Sequence, residues 1–321
     1  MAQHKLVLDM DVGIDDAIAL IHLVAEPTAE IVALGSVHGN IDAPQAALNA
    51  LRVLEVCGLT TVPVAIGAER PLVRDLRLAT HVHGDDGLGN TAHPRPQAQP
   101  TGEHAADQLL RLAQTHPGAL DLLAVGPLTN LALGLQRDPL LLTRFRSVVI
   151  MGGAGPEAEP GMPLIGYDAN IDHDPEAAEL VFSAPGARVM VGINVTIPTV
   201  LAGESLAQVA AATTAQGRFA WQILQHYLDI YERRFGYRGC SMHDPLAAGI
   251  ALTPGLIAAS LDGPVDIVPT DHGYRALLRR VPHDPQRPVT QVLTAVDGPR
   301  YIKRLTAALT TPLGTLGAGA W

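Results

Sequence analysis

The sequence predicts an α/β fold, in which a mainly parallel central sheet carries helices on both faces. Short apolar runs alternate with longer segments of helical character from the N-terminus to about residue 193. This alternation is typical of parallel strands, because two parallel neighbours need a long crossover connection that is usually a helix. Apolar residues also make up 47% of the 321 residues, which is ample for a sizeable core.

The predicted elements follow one another in that alternating order. Strands are expected over residues 6–8, 31–37, 62–66, 120–125, 147–151 and 188–193, where the runs are short and apolar. Helices are expected over residues 17–24, 43–57, 105–114, 128–135, 175–182 and 221–235, and an apolar helix opens at His243. Residues 70–100 are rich in Pro and Gly without periodicity, which predicts a long loop of the kind that forms lids. No linker divides the chain, so one domain is expected over residues 1–321.

The stretch that joins the first strand to the first helix is unusually acidic. Asp9, Asp11, Asp15 and Asp16 surround Gly13, which is expected to adopt a backbone conformation closed to other residues. One Asp is enough to cap a helix, and four like charges at a strand end repel one another. A bound hard cation such as Ca²⁺ or Mg²⁺ relieves the repulsion, and strand ends are where α/β sheets bind ligands. The stretch therefore predicts a metal-centred active site.

This D-x-D-x-G-x-D-D-A pattern resembles the nucleoside hydrolase family, calcium-dependent enzymes that cut the N-glycosidic bond of ribonucleosides. Later segments match in the same order, so the resemblance covers nearly the whole chain and implies a nucleoside hydrolase-like fold with a Rossmann-like core. It implies that Asp11 is metal ligand and general base, that Asp16 is a metal ligand, and that Asp15 holds ribose hydroxyls. The family usually has Pro where this chain has Val12, a change that removes no ligand.

Motifs at the following strand ends extend the resemblance. Asn40 reads as a turn residue or as an amide that reaches a sugar hydroxyl, and the resemblance implies that it contacts ribose. His83, by itself a plausible surface histidine, matches a flap histidine of members that accept pyrimidine nucleosides or inosine. The resemblance also implies that the backbone carbonyl of Val125 binds calcium and that Met151 lines the ribose pocket.

The C-terminal half contributes a second set of candidates. Asp244, in one of three H-D-P tripeptides, opens an apolar helix and reads either as a helix cap before Pro245 or as a ligand. The resemblance implies that Asp244 binds calcium and ribose and that His243 protonates the leaving base near its natural pKa. It places Tyr231, on a predicted amphipathic helix, over the nucleobase.

The largest departure from the family pattern lies between residues 161 and 170. The family usually has an asparagine where this chain has Met162 and a glutamate where it has Asp168, whereas Asn170 is retained. The resemblance implies that positions 162 and 168 grip the 5′-hydroxyl of the sugar. We therefore hypothesise that this chain recognises the 5′ end differently, because losing a polar partner weakens the binding of a buried hydroxyl.

Composition limits the partners that are expected. The net charge of −10 and the presence of only two lysines argue against a nucleic-acid surface. No apolar run approaches the roughly 20 residues of a membrane span, and acidic residues interrupt the first apolar run, so neither a span nor a signal peptide is expected. Two cysteines form no disulfide framework, which favours a reducing cytoplasm. The resemblance implies a nucleoside as the small-molecule partner, and a dimer or tetramer.

The expected function is calcium-dependent hydrolysis of ribonucleosides, pyrimidine nucleosides or inosine, to free base and ribose. A magnesium-dependent phosphatase of the haloacid-dehalogenase type also begins with D-x-D after a strand. That class needs a mid-chain lysine, and this chain has none between Lys5 and Lys303. A calcium-dependent nucleoside or ribose binder without turnover is the second alternative, and the presence of Asp11 and His243 argues against it.

Overall fold

A computed structural model describes residues 3–158, 168–271 and 273–317 of the chain. The strands within these ranges are β1 His4–Met10, β2 Ala29–Ser36, β3 Val64–Ile66, β4 Thr101–His104, β5 Asp121–Ala124, β6 Ser147–Met151, β7 Gly155–Pro156, β8 Val189–Val191, β9 Val200–Ala202, β10 Gly239–Ser241, β11 Ile257–Gly263, β12 Val265–Thr270, β13 Gly273–Leu278 and β14 Thr290–Val296. The helices are α1 Ile14–Ala25, α2 Ala43–Val56, α3 Thr80–His83, α4 Ala105–Thr115, α5 Thr129–Arg137, α6 Ala169–His173, α7 Pro175–Ser183, α8 Ile193–Thr196, α9 Gly203–Ala210, α10 Ala215–Phe235, α11 His243–Leu252 and α12 Gly298–Thr310. Single 3₁₀ turns occur at Leu141–Arg144 and Pro254–Leu256.

The central sheet confirms the predicted fold class. Over the described residues it has nine strands in the spatial order β11-β14-β8-β6-β5-β1-β2-β3-β4. Every neighbouring pair is parallel except β11 with β14, which are antiparallel. Two smaller sheets, β9 with β10 and β12-β13-β7, lie beside it. The α/β fold with a mainly parallel sheet is therefore observed as expected.

Helices cover both faces of this sheet, as predicted. The first core contains apolar side chains of α1, α2, α10, α11 and α12, whereas the second contains those of α4, α5 and α7. Because both faces are covered, β1 and β5 carry continuous apolar runs rather than alternating ones, which is why the sequence revealed them. No helix of the described residues combines the length and the hydropathy that crossing a bilayer requires.

Some elements differ from the sequence expectation for local reasons. Helix α10 begins at Ala215 rather than near 221, because the hydroxyl of Thr214 caps it by accepting from the Gly217 N–H at 3.1 Å. Strand β8 ends at Val191, and Ile193 begins the short helix α8. Strand β4, at the edge of the sheet, and the strands after residue 255 were not predicted. In β4 the sequence Thr-Gly-Glu-His gives no apolar signal.

Gly13 corrects one expectation. Its φ of −93° and ψ of −157° are extended, so the prediction of a backbone conformation closed to other residues is wrong. The glycine is required instead by close packing, since a Cβ there would lie 2.5 Å from His83 Nδ1 and 2.8 Å from Asn40 Nδ2. Residues 70–100 form a largely irregular segment whose one helix, α3, delivers His83 to this glycine.

Candidate active site

The carboxyl ends of four adjacent strands bring the candidate residues to one edge of the sheet. β6, β5, β1 and β2 are neighbours in that order. Met151 is the last residue of β6, Val125 and Asp11 directly follow β5 and β1, and Asn40 lies in the turn after β2. Parallel strands end at the same edge, so residues far apart in sequence become neighbours there.

Three buried carboxyl groups meet above this edge. Asp15 and Asp16 lie in the first turn of α1, and Asp244 lies in the first turn of α11, which packs against α1. One oxygen from each of these side chains lies within 4.8 Å of the other two. The structure thus brings together two predicted metal ligands, Asp16 and Asp244, and adds Asp15, which was predicted to bind ribose.

Asp11 lies beside this group rather than within it. Its Oδ2 accepts a hydrogen bond from the Asn40 N–H at 2.7 Å. The turn that brings this N–H so close depends on Gly39, where a Cβ would lie 2.1 Å from Asp11 Oδ2. Asp16 Oδ2 accepts from the Gly13 N–H and from Asn40 Nδ2, both at 2.9 Å. Asn40 therefore holds two of the acidic side chains at once.

The donor set fits a hard divalent cation. Asp11 Oδ1, Asp15 Oδ1 and Asp16 Oδ1 are buried without a hydrogen-bond partner. One oxygen of Asp16 and one of Asp244 lie within 4.8 Å of each other. Two buried carboxylates this close repel unless a shared proton or a bound cation compensates their charge. Unpaired buried carboxylate oxygens are costly, and oxygen ligands of this kind are those that Ca²⁺ and Mg²⁺ prefer.

The electrostatics of the cluster agree with this interpretation. Burial, followed by the negative charge of the neighbouring carboxylates, raises the pKa of Asp11 and Asp244 well above the usual aspartate value. The same two causes, in the same order, raise the pKa of Asp15. Burial also raises the pKa of Asp16, although the hydrogen bond from the Gly13 N–H opposes it. Such groups hold protons unless a cation compensates their charge.

Asn170 links the sheet edge to helix α6. Its Nδ2 donates to the backbone carbonyl of Val125 at 2.7 Å and to that of Met151 at 3.1 Å. The Val125 carbonyl therefore faces the polar side of the site, and its second lone pair is available to another ligand. Asn170, Val125 and Met151 all line the same cavity.

Both carboxyl oxygens of Asp168 face backbone N–H groups. Its Oδ2 accepts from the Gly153 N–H at 2.6 Å, and its Oδ1 faces the Ile171 N–H at 3.4 Å as the cap of α6. Burial raises the pKa of Asp168 to about 7 against the effect of the Gly153 bond. Met162, the other position expected near the 5′-hydroxyl, lies outside the described residues.

His83 lies buried against the start of α1. Its Nδ1 accepts from the Ile14 N–H at 3.1 Å and lies 3.9 Å from Asp15 Oδ1, while its ring packs on Tyr227 with 5.7 Å between ring centroids. Burial, followed by the positive charge of His243, lowers the pKa of His83 to about 3. The imidazole is therefore neutral at physiological pH and uses Nδ1 as an acceptor.

His243 stands between two hydroxyl groups. Its Nδ1 is 2.7 Å from Thr196 Oγ1, and its Nε2 is 3.3 Å from the Tyr231 hydroxyl. Burial lowers the pKa of His243 to about 4, so the expectation that it titrates near its natural value is wrong. Thr196 had no recognisable signal in the sequence, because its role depends on α8 packing beside α11.

A cavity of about 930 Å³ joins these groups. The predicted residues that line it are Asp15, Asn40, His83, Val125, Met151, Asp168, Asn170, Tyr231, His243 and Asp244. Sequence reasoning missed Arg77, His81, His173 and Ile193, which also line it. Arg77 and His81 lie in the loop without periodicity, and His173 is the last residue of the short helix α6, so no periodic pattern distinguished them.

Comparison with known proteins identifies the class. Residues 6–303 match the family described as inosine-uridine preferring nucleoside hydrolase. The chain is 34% identical over 310 residues to a probable uridine nucleosidase of Arabidopsis thaliana, covering 93% of this chain and 95% of the relative. It is 33% identical over 265 residues to the inosine-uridine preferring nucleoside hydrolase of Crithidia fasciculata, covering 82% and 83%. A plant nucleoside hydrolase structure superimposes with a TM-score of 0.88 at 30% identity, covering 97% of this chain and all of that one.

Fold, acidic cavity and relatives together define a nucleoside N-ribohydrolase, an enzyme that cleaves the N-glycosidic bond of ribonucleosides. The matches cover nearly the whole length of these two relatives, so the similarity is not confined to a shared core. The chain belongs to the inosine-uridine preferring nucleoside hydrolase family.

Proposed function

We propose that this enzyme hydrolyses pyrimidine nucleosides or inosine with Ca²⁺ held by Asp11, Asp16, Asp244 and the Val125 carbonyl. The observation that carries the proposal is the group of buried carboxyl oxygens without hydrogen-bond partners beside a cavity that Asp15 and Asp244 line. The nucleoside preference draws on the uridine and inosine activities named for the relatives. The choice of Ca²⁺ rests on an all-oxygen donor set with both side-chain and carbonyl ligands.

Asp11 is the proposed general base. A divalent cation bound at this cluster would lower the pKa of a water molecule and so make it nucleophilic at neutral pH. Asp11 Oδ1 has no hydrogen-bond partner, whereas Oδ2 is fixed by the Asn40 N–H at 2.7 Å. The free oxygen can accept the proton of the attacking water, and the bonded one keeps the carboxyl group oriented.

Asp15, Asn40 and Asn170 are the proposed partners of the ribose hydroxyls. Each lines the cavity and is held by its surroundings, Asn40 by Asp16 and Asn170 by two backbone carbonyls. Fixing the sugar in this way orients the anomeric carbon towards the attacking water. Nearby carboxylates also stabilise the positive charge that develops on the sugar when the bond to the base breaks.

His243 and Tyr231 are the proposed route for a proton to the leaving base. Thr196 can donate to Nδ1 of the neutral imidazole, which leaves the proton on Nε2, the nitrogen nearest Tyr231. When Nε2 gives its proton to the base, the Tyr231 hydroxyl can pass its own proton to Nε2 and take one up from solvent, so that both side chains end as they began. His83 and Met151 complete the proposed substrate contacts, and Asp168 contributes through its hold on the Gly153 backbone.

Several further features belong to the proposal. One domain over residues 1–321 is supported by a single large sheet with a core on each face. Cytoplasmic residence is supported by the two buried, unpaired cysteines. A dimer or tetramer is expected from the family resemblance, with a nucleoside as the small-molecule partner. The haloacid-dehalogenase phosphatase is not favoured, because the chain matches the nucleoside hydrolase family.

One panel assay tests the proposal. Release of reducing sugar from uridine, cytidine, inosine and adenosine is measured with Ca²⁺, with Mg²⁺ and with a chelator. The expected result is fastest turnover of a pyrimidine nucleoside or inosine, lost with chelator and restored by Ca²⁺. Full activity in chelator contradicts the metal assignment. Tight binding of a nucleoside without sugar release supports a non-catalytic binder instead, and release of phosphate from p-nitrophenyl phosphate supports the phosphatase.

A further inference from the structure

His173 is a buried histidine that the proposed chemistry does not use. Its side chain is 6% exposed and lines the active-site cavity. Its Nδ1 is buried without a hydrogen-bond partner. A buried polar group is normally hydrogen-bonded, so an unpaired one beside a substrate cavity indicates a partner that arrives with the substrate.

His173 shares helix α6 with a proposed ribose contact. Asn170 and His173 are three residues apart, so their side chains project from the same face of the helix. Asn170 faces the sheet edge through its bonds to the Val125 and Met151 carbonyls. His173 therefore belongs to the same polar wall of the cavity, about one helical turn along α6 from Asn170.

The stereochemistry of ribose points to the group that faces this wall. The base on C1′ and the 5′ carbon on C4′ leave the ring on opposite sides of the ring oxygen, whereas the 2′- and 3′-hydroxyls lie on the other edge. Tyr227 belongs to the core on one face of the sheet and Ile171 to the core on the other. With the hydroxyls at the acidic cluster and the base at α10, the 5′ end is directed to α6.

The charge state of His173 favours a neutral group. Burial, followed by the positive charge of Arg77, lowers the pKa of His173 to about 4. A neutral imidazole has one donor and one acceptor, which suits a hydroxyl. The guanidinium of Arg77 is already paired, donating to Asp172 Oδ2 at 2.8 Å. A 5′-phosphate would therefore find little compensating charge here.

We propose that His173 is a specificity-determining residue that binds the 5′-hydroxyl of the ribose. The assignment rests on the substrate orientation in the proposed function. It supplies the polar contact that Asp168 is poorly placed to make, since both Asp168 oxygens are directed at backbone N–H groups. Loss of the hydroxyl leaves the imidazole buried and unpaired, which penalises a 5′-deoxy substrate.

The test compares kcat/KM for uridine and 5′-deoxyuridine in the unaltered enzyme, His173→Phe and His173→Gln. The unaltered enzyme is expected to prefer uridine by about 5- to 10-fold, the size of one neutral hydrogen bond. His173→Phe keeps a ring without nitrogen, so its preference should fall to within about 2-fold. His173→Gln restores a polar group and should regain part of the preference. A ratio near one in the unaltered enzyme, or a ratio unchanged in His173→Phe, overturns the assignment.

His226→Phe is the matched control. His226 Nε2 is also buried without a partner, but His226 is not part of the described cavity wall. Its substitution should leave the uridine to 5′-deoxyuridine ratio unchanged. Faster hydrolysis of uridine 5′-monophosphate than of uridine contradicts the choice of a neutral group. Thermal stabilisation of the enzyme by ribose and by 5-deoxyribose measures the same contact without turnover. A failure of the proposed nucleoside preference can therefore be distinguished from a failure of the His173 assignment.

Discussion

One carboxyl oxygen of Asp16 lies within 4.8 Å of one of Asp244, although most of the chain separates the two residues in sequence. Each lies in the first turn of its helix, and α1 packs against α11. Two helix N-termini therefore face one point, and their dipoles favour the negative charge gathered there. That field reduces the repulsion between the carboxylates but does not remove it, which leaves the cation as the main compensating charge.

Asp11→Asn is expected to lower kcat on uridine by about 10²- to 10⁴-fold, the range for loss of a general base. The amide oxygen can still accept from the Asn40 N–H, and removal of a charge from a repelling cluster costs little stability. Reducing-sugar release measures the rate, and circular dichroism during heating verifies the fold.

Asp9→Asn is the control for this change, because Asp9 is similarly buried but its Oδ1 accepts from Asn130 Nδ2 and no neighbouring carboxylate raises its pKa. It should keep near-normal turnover. Near-normal turnover of Asp11→Asn would remove Asp11 as the base.

Calcium is expected to stabilise the fold as well as activate it. Because the cation binds the native cluster and not the unfolded chain, Ca²⁺ at a hundredfold excess over its Kd should raise the free energy of unfolding by about 2.7 kcal/mol. Urea denaturation with and without Ca²⁺ measures the difference. Asp244→Asn should abolish most of it, since the variant loses one ligand of the group. An equal increase in that variant would place the bound calcium elsewhere.

Gly13→Ala is expected to cost about 1–3 kcal/mol of stability, typical of overpacking, and to impair activity. The added methyl group would lie 2.5 Å from His83 Nδ1 and 2.8 Å from Asn40 Nδ2, so both side chains must move. Urea denaturation and kcat/KM on uridine report the two effects. Gly102→Ala is the matched control, because a Cβ there meets nothing within 4 Å. Equal behaviour of the two variants would contradict the packing argument.

Glu26→Gln is expected to cost about 3–5 kcal/mol, the range for leaving a buried charge without its partner. Both Glu26 oxygens accept from the fully buried Arg304 guanidinium at 2.6 Å. Although burial raises the pKa of Glu26, hydrogen bonds from His22 and Arg304 outweigh it and lower the pKa below 4.5. The stabilisation is therefore complete above about pH 4.5 and is lost as the pH falls through the lower folded-state value.

Urea denaturation at pH 7 and at decreasing pH measures this contribution and its loss. Lys5→Met is the control, since the Lys5–Glu30 pair is half exposed and 3.7 Å long. It should change the free energy of unfolding by less than about 1 kcal/mol. A loss in Glu26→Gln no larger than in Lys5→Met would mean that the buried pair contributes no more than the exposed one.

The predictable part of the fold is its parallel core. Strands such as β1 and β5 have unbroken apolar runs at their centres because helices cover both faces, and this produces a local signal. The edge strand β4 and the hairpin of β12 with β13 carry polar or mixed residues, so the sequence contains no local strand signal there. Their pairing depends on neighbours that only the folded sheet supplies.

The sequence by itself determined the fold class, the acidic stretch from Asp9 to Asp16 and its resemblance to nucleoside hydrolases, because these depend on residues close together in the chain. The tertiary structure decided which groups share a site. It brought Asp244 to Asp16, directed Asp168 to the backbone, and placed Thr196 on His243 and His173 in the cavity wall. These relationships join distant segments at one sheet edge, so helix packing and strand order create them and no local pattern encodes them.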